Sequence, residues 1–233
     1  MNEKYLLEIS VETAERALAA ERGGADRIEL CADLSTGGVT PSGELLGSVR
    51  RQIRIPIFSM IRPRGGDFVY TDAEFTEMKH AIPSAKESEM DGVVLGLLKE
   101  DRRVDVERTR ELMEIARPVP VTYHRAFDEC TDLRQALEDV IQTGATRILT
   151  SGGGAGAPEG ATMLAELVAA ARDRIIVVPG GGINACNIVE IAQQTRASEF
   201  HSGLSSALPY SSRDNETFEV EVRKLARTLA DFA

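Results

Sequence analysis

The feature that most constrains the fold of this chain is an alternation of short apolar runs with longer stretches of helical spacing. The apolar runs have the length and composition of β-strands and lie at 5–11, 27–31, 56–61, 92–97, 119–123, 147–150, 175–178 and 198–201. Helical spacing follows at 12–22, 72–86, 104–116, 133–143, 161–171, 187–195 and 216–231. Eight such units in 233 residues average about 29 residues each, the size of a minimal βα unit.

The stretches between these units contain residues that end helices. Gly23, Gly24, Gly144 and the segment 195–198 lie where one helix should stop and the next strand begin. No proline-rich or low-complexity linker interrupts the series, so residues 1–233 are predicted to form one domain. The chain has no Trp and only 5% aromatic residues, which suits an aliphatic core of parallel strands covered by helices. We predict an α/β (β/α)8 TIM barrel; a doubly wound open sheet is the alternative, and the eight strands favour closure.

Charge and cysteine content exclude several classes of function. A formal charge of −10 argues against a nucleic-acid partner bound through phosphates and gives no support to docking on an anionic membrane. No apolar run reaches the roughly 18 residues of a membrane span, and the polar start MNEKYLLE lacks the apolar region of a signal peptide. Cys31, Cys130 and Cys186 are far apart and form no CxxC, so we expect reduced thiols in the cytoplasm.

The polar residues of the predicted strands lie at the C-terminal end of each strand. Barrel active sites lie at the C-terminal ends of the strands, where side chains two residues apart share a face. The residues at these ends are Glu8, Ser10, Glu29, Cys31, Met60, Arg62, Arg64, His124, Arg125, Asp128, Thr150, Ser151, Gly180, Gly181, Gly182, Glu199, His201 and Ser202. Any one of them could have a structural role, such as a carboxylate paired with an arginine. The whole ring indicates a site, because burying so many charges without function costs stability. We expect Glu8, Glu29, His124 and His201 to open to one barrel mouth.

The segment after the third predicted strand is the most unusual in the chain. Arg62 and Arg64 flank a proline and precede two glycines and Asp67, a pattern suited to holding a carboxylate or phosphate. The alternative is a structural arginine pair at the barrel rim. Gly180, Gly181 and Gly182 follow the seventh strand, where phosphate-binding barrels offer backbone N–H groups to an anion. The alternative there is a tight turn that needs positive φ.

Cysteine and histidine motifs leave the metal question open. Cys31 could be a nucleophile or a soft-metal ligand, and it could equally be a small buried apolar residue. HExxH, CxxC, P-loop, zinc-finger and EF-hand patterns are absent from the sequence.

Several segments resemble one known family along nearly the whole chain. They are GGADRIELC (23–31), GGVTPS (37–42), MIRPRGGDF (60–68), YHRAFDEC (123–130), RILTSGG (147–153), PGGGI (179–183) and EFHSG (199–203). In this order they resemble the CutC family, for which MIRPR with HRAFD and LTSG is a highly specific combination. The resemblance implies a (β/α)8 barrel, a cytoplasmic homo-oligomer and a role in copper homeostasis with Cu(I) binding.

The resemblance also implies which positions matter. The family's polar positions carry over onto Glu8, Glu29, Arg62, Arg64, Asp67, His124, Arg125, Asp128, Ser151 and His201. Members often have a cysteine in the first strand, where this chain has Glu8, Ile9 and Ser10. Cu(I) prefers sulfur ligands. Near the mouth, only Cys31 and Met60 could supply them.

Two hypotheses of different classes follow. The first is a copper-homeostasis protein that binds Cu(I) weakly through Cys31, without catalysis. The second is a barrel enzyme for a small phosphorylated or carboxylated metabolite, since the residue chemistry suits an anion better than copper. In the second, Glu8, Glu29, His124 and Asp128 supply acid–base catalysis. In the same hypothesis, the residues that bind the anion are Arg62, Arg64, Asp67, Arg125, Ser151, Gly180, Gly181, Gly182 and His201. A scaffold role ranks third, because these residues point to a mouth and not to an outer surface.

Overall fold

The chain folds as eight parallel strands that alternate with helices, in a computed structural model that describes residues 5–204, 208 and 214–232. The strands are β1 (Leu6–Val11), β2 (Arg27–Leu30), β3 (Ile57–Met60), β4 (Gly92–Leu95), β5 (Val121–Tyr123), β6 (Arg147–Thr150), β7 (Ile176–Pro179) and β8 (Glu199–Ser202). Hydrogen bonds join them in the order β7-β6-β5-β4-β3-β2-β1-β8, and β7 contacts β8 to complete the ring. The predicted (β/α)8 barrel is confirmed.

Among the described residues, eight helices cover the outside of the strands. They are α1 (Ala14–Gly23), α2 (Gly43–Arg50), α3 (Asp72–Glu87), α4 (Val106–Ala116), α5 (Leu133–Thr143), α6 (Ala161–Ala171), α7 (Ile188–Thr195) and α8 (Asn215–Phe232). Gly24 and Gly144 cap α1 and α5 in the left-handed conformation, and the sequence predicted helix ends at both glycines. Thr71 caps α3 through a reciprocal pair of hydrogen bonds with Glu74, so this helix begins where the sequence placed it.

Three short elements were not predicted from the sequence. They are α2 and two 3₁₀ turns, Leu34–Thr36 and Arg125–Glu129. The segment of α2 carries two glycines in eight residues, which weakens its helical signal, but Ser42 caps it and Leu46 and Val49 are buried against the barrel. Tertiary packing therefore decides this helix, and local propensity does not.

The strand register puts charged residues side by side inside the barrel. Glu8 pairs in register with Arg27 of β2 and with His201 of β8, and Ser10 pairs with Glu29. Neighbours in register on parallel strands point to the same face, so one row of the interior is polar. The aliphatic core lies mainly between the strands and the helices. Within the part of the chain that is described, no helix is long and apolar enough to cross a membrane.

Candidate functional site

A cavity opens at the C-terminal ends of the strands. Its volume is about 450 Å³, within the range of roughly 300–1,000 Å³ that small-molecule sites occupy. It is lined by Ser10, Glu29, Leu34, Gly37, Met60, Arg62, Phe68, His124, Arg125, Asp128, Glu129, Leu149, Gly181, Gly182, His201 and Gly203. The structure therefore brings Glu29, His124 and His201 to one mouth. Glu8 lies next to them, bonded to His201.

A buried cluster of two carboxylates and an imidazole forms one side of this cavity. Glu8, Glu29 and His201 are each at most 8% exposed, and one ligand atom from each lies within 4.8 Å of the others. The Nδ1 atom of His201 is 2.7 Å from Oε1 of Glu8, and its Nε2 atom is 3.9 Å from Oε2 of Glu29. We call these three residues the carboxylate–histidine cluster. It is the only group among the described residues whose His, Cys, Asp and Glu atoms are close enough to share a metal ion.

Arg27 holds this cluster from below. Its Nε donates to Oε2 of Glu8, and its Nη2 donates to Oε2 of Glu199 over 2.8 Å. Arg147 donates to the same oxygen of Glu199 over 3.0 Å, and both guanidinium groups lie over the Phe58 ring. Neither Arg27 nor Arg147 was predicted from the sequence as a site residue. Strand alternation could have found Arg27, because it shares a face with Glu29 and Cys31.

The buried charges of the cluster shift one another's pKa values. Burial alone would raise the pKa of Glu8, but Arg27 and His201 outweigh it and lower that pKa to about 2. Burial alone would lower the pKa of His201, but Glu29 and Glu8 outweigh it and raise that pKa above its ordinary value. Burial raises the pKa of Glu29, although the His201 charge opposes the shift. The two glutamates therefore favour the cationic form of His201.

Cys31 lies directly beside the cluster. Its thiol donates to Oε2 of Glu29 over 3.5 Å, and the side chain is fully buried against Phe58, Met60 and Val94. Burial and the nearby charge of Glu29 raise the pKa of this thiol well above its usual range. A Cβ at Gly38 would come within 3.0 Å of the sulfur, so the loop approaches Cys31 closely only because that residue is glycine.

His124 lies at the end of β5 in a different environment. Its Nδ1 atom accepts a hydrogen bond from the backbone N–H of Ala126, and its Nε2 atom has no partner among the described residues. Burial, together with the charge of Arg62, lowers its pKa to about 3. The imidazole is therefore neutral near pH 7. Its ring lies 5.0 Å from that of Phe68.

The two arginines of the MIRPR segment have separate surroundings. Arg62 is buried and donates to the carbonyls of Thr36, Gly38 and Gly66, so it ties two loops together. Arg64 lies outside the cavity lining and forms ion pairs with Asp67 and Glu74. The anion-binding role of Arg62, Arg64 and Asp67 stays a prediction, and all three already have protein partners.

The loop after β6 is built around Asp128. This carboxylate accepts from Thr150 Oγ1, Ser151 N, Gly153 N and Arg125 Nε. Arg125 also donates to Ser151 Oγ over 3.0 Å. Asp128 thus holds Arg125 and the 150–153 segment in place, and its acid–base role stays a prediction.

The three glycines after β7 differ in how closely they are packed. A Cβ at Gly180 would come within 2.4 Å of the Leu149 side chain. Gly181 and Gly182 have φ values of 92° and 73°, which other residues rarely adopt, and both line the cavity. Their contact with an anion stays a prediction.

Comparison with known proteins gives one consistent family. The family model described as "CutC family" matches residues 5–206. A human relative named copper homeostasis protein cutC homolog is 48% identical over 202 residues, which cover 87% of this chain and 74% of the relative. A relative from Chromobacterium violaceum, named as a family protein CutC, is 46% identical over 209 residues, covering 88% of this chain and 85% of its own.

Solved structures agree with the sequence comparisons. The crystal structure of a putative copper homeostasis protein CutC from Streptococcus agalactiae superposes with a TM-score of 0.81 at 32% identity, covering 85% of this chain and 98% of that one. Thiamine phosphate pyrophosphorylase from Pyrococcus furiosus superposes with a TM-score of 0.66 at 17% identity, covering 99% and 98%. The second likeness is one of fold alone.

Proposed function

Because this chain belongs to the CutC family, we propose that it acts in copper homeostasis and binds Cu(I) at the carboxylate–histidine cluster beside Cys31. The observation that carries the proposal is a buried group of imidazole and carboxylate donors, with the Cys31 thiol hydrogen-bonded to one of its carboxylates. The Cys31 thiol lies 3.5 Å from Glu29, and Glu29 lies 3.9 Å from the Nε2 atom of His201. The names of the relatives favour this hypothesis over a barrel enzyme for a phosphorylated or carboxylated metabolite.

The donor set fits a single copper ion. Oε1 of Glu29 is buried without a hydrogen-bond partner among the described residues, and such an atom usually signals a missing water or ion. Glu8 engages Nδ1 of His201, which leaves Nε2 to face Glu29. A carboxylate that orients a histidine in this way is the usual partner of a metal-binding imidazole. Glu29 and His201 would hold the ion, with Glu8 and Arg27 positioning them. Cys31 lies outside the group of atoms within 4.8 Å of one another, so it would supply its sulfur only after its side chain turns toward the ion.

The same donor set supports only weak binding of Cu(I). This ion prefers thiolate and thioether sulfur, and the site offers one thiol, with Met60 packed beside it. Binding must also displace the protons of Cys31 and His201, whose pKa values are both raised. Affinity should therefore fall as the pH falls.

Competition titration of Cu(I) against a chromophoric chelator tests this proposal. We expect one weakly bound equivalent in the wild type and none in Cys31→Ser. Cys186→Ser is the matched control, because that thiol is exposed and distant from the cluster along the chain. Cu(I) is diamagnetic, so the His201 resonances should also shift on binding in the wild type. Tight stoichiometric binding that survives Cys31→Ser would contradict the ligand assignment.

We also propose that the protein is cytoplasmic and forms a homo-oligomer. Three free cysteines and a metal site that needs a reduced thiol support a cytoplasmic protein. The family resemblance implies a homo-oligomer, which light scattering of the purified protein tests directly. A monomer at micromolar concentration would contradict that part of the proposal.

A further inference from the structure

The side of the cavity opposite the carboxylate–histidine cluster carries two hydrogen-bond donors that the copper proposal does not use. One is Nε2 of His124, which is buried and has no partner among the described residues. The other is Nη1 of Arg125, which makes no hydrogen bond within the described part of the chain. Both residues line the cavity and both come from the end of β5.

The hydrogen bond at Nδ1 fixes the tautomer of His124. Because Nδ1 accepts from the Ala126 N–H over 3.2 Å, a neutral ring must carry its hydrogen on Nε2. The low pKa of about 3, caused by burial and by Arg62, is consistent with a neutral ring. Nε2 is therefore a donor without a lone pair, so it suits an oxygen acceptor and cannot ligate a metal.

Arg125 is held in position before any ligand arrives. Its Nε donates to Asp128 over 2.7 Å and its Nη2 donates to Ser151 over 3.0 Å. A Cβ at Gly181 would lie 3.4 Å from Nη1 and Cζ, so the guanidinium packs directly over that glycine. A charged donor held in this way loses little further conformational entropy when it binds a ligand.

The charge around these two donors limits the ligand. Arg64 lies outside the lining, so the cavity wall carries the charges of Arg62 and Arg125. Arg62 donates to three backbone carbonyls, and Arg125 pairs with Asp128. Glu29 and Glu129 also line the cavity and would repel a dianion. Leu34, Met60, Phe68 and Leu149 make much of the remaining wall apolar. Because Asp128 offsets one of the two arginine charges, one excess positive charge, one neutral donor and an apolar wall match a small organic monocarboxylate better than a phosphate.

We propose that the β5 side of this cavity is a binding subsite for a small organic monocarboxylate, whose oxygens accept hydrogen bonds from His124 Nε2 and Arg125 Nη1. The subsite is independent of copper, because neither donor belongs to the cluster that holds the ion.

Calorimetry and thermal shift of the metal-free protein with a chelator present test the subsite. The probes are pyruvate, 3-hydroxybutyrate, the uncharged methyl ester of 3-hydroxybutyrate, and inorganic phosphate. We expect saturable binding of at least one carboxylate with a rise in Tm, and none of the ester or of phosphate. Phosphate binding in preference to both carboxylates would overturn the assignment, and so would the absence of any saturable carboxylate signal.

Two matched pairs of variants locate the binding. His124→Leu removes the Nε2 donor, whereas His124→Gln keeps an N–H at a similar reach, and both lose the acceptor for Ala126. Arg125→Met removes a guanidinium of the cavity wall, whereas Arg174→Gln removes an exposed arginine that pairs with Glu138 outside the cavity lining. We expect His124→Leu and Arg125→Met to weaken carboxylate binding about tenfold or more, as for the loss of a charge-assisted or buried hydrogen bond. His124→Gln and Arg174→Gln should change it by less than about threefold.

A measurement on the wild type keeps the test independent of variant stability. The ring N–H resonance of His124 should shift on addition of carboxylate and stay constant on addition of the ester. Equal binding by His124→Leu and His124→Gln, or an unmoved ring resonance at saturation, would overturn the proposal. Loss of copper binding in Cys31→Ser leaves these results unchanged, so the two proposals can fail separately.

Discussion

Two histidines line the same cavity, yet their surroundings shift their pKa values in opposite directions. His201 lies between Glu8 and Glu29, and these carboxylates raise its pKa against the effect of burial. His124 lies near Arg62, and burial together with that charge lowers its pKa to about 3. Carboxylates thus favour the cationic form of the first ring, and the second ring is a neutral donor.

The wider regions around the two rings differ in the same way. On the β1, β2 and β8 side, buried charges compensate one another, as Arg27 does for Glu8 and Glu199. On the β3 and β5 side, charged side chains instead form hydrogen bonds with the backbone. Arg62 donates to three carbonyls, and Asp128 accepts from two backbone N–H groups. The polar residues at the strand ends therefore compensate buried charges on one side of the barrel and hold backbone segments in place on the other.

The sharpest test of this comparison is the titration of the two rings by NMR in metal-free protein. The chain has three histidines, so His80→Gln, His124→Gln and His201→Gln assign every signal. We expect His124 to stay neutral until the pH approaches 3, and His201 to titrate above 6.5. That separation exceeds about three pH units, or roughly 4 kcal/mol.

The two rings should also contribute to stability in opposite pH ranges. The folded pKa of His124 is depressed, so its contribution is present above 6.5 and is lost as the pH falls toward 3. The folded pKa of His201 is raised, so its contribution is present below 6.5 and is lost as the pH rises through the folded value. If the NMR signals of His124 and His201 titrated together near pH 6.5, the predicted difference between their pKa values would be wrong.

Arg27→Met should destabilise the protein more than the loss of either arginine of the MIRPR segment. The change leaves the buried carboxylates of Glu8 and Glu199 without their shared cation. Removing one partner of a buried ion pair costs about 3–5 kcal/mol, which urea denaturation measures as a loss in free energy of unfolding. The His124 resonances should stay in place. A loss below about 1 kcal/mol would mean that the cluster does not depend on Arg27.

Arg62→Met should destabilise the protein less, although Arg62 is as deeply buried as Arg27. The change frees three loop carbonyls, and carbonyls at a barrel rim can be hydrated. We expect a loss of about 1–3 kcal/mol in free energy of unfolding, the usual cost of unsatisfied polar groups. It should also raise the pKa of His124, because a nearby positive charge is removed. A loss equal to that of Arg27→Met would erase the difference between the regions.

Arg64→Gln should have the smallest effect. The side chain is 36% exposed and its partner Asp67 is 66% exposed, so solvent screens their ion pair. Surface pairs of this kind contribute about 0–1 kcal/mol, and we expect a change within that range by urea denaturation. Unfolding of the unliganded variant would instead assign Arg64 a structural role in the whole barrel.

The sequence was sufficient for the architecture and for the end of the barrel that carries the site. All eight predicted strands occur, with bounds within about two residues of those observed, because buried parallel strands leave continuous apolar runs. The segment of α2 was missed, since Ser42 and tertiary contacts stabilise a stretch with two glycines. His124, Arg125, Glu29 and His201 were all placed at the mouth, because strand ends in this fold converge there.

What each residue does at the mouth was decided by tertiary structure. The sequence could show that Arg62 and Arg64 follow one strand, but only packing turned one toward loop carbonyls and the other toward Asp67 and Glu74. It could show a histidine after β5 and another in β8, but not which one meets carboxylates. The register of β8 beside β1 decided that, because pKa shifts and donor directions depend on distances of a few ångströms between residues up to 193 positions apart.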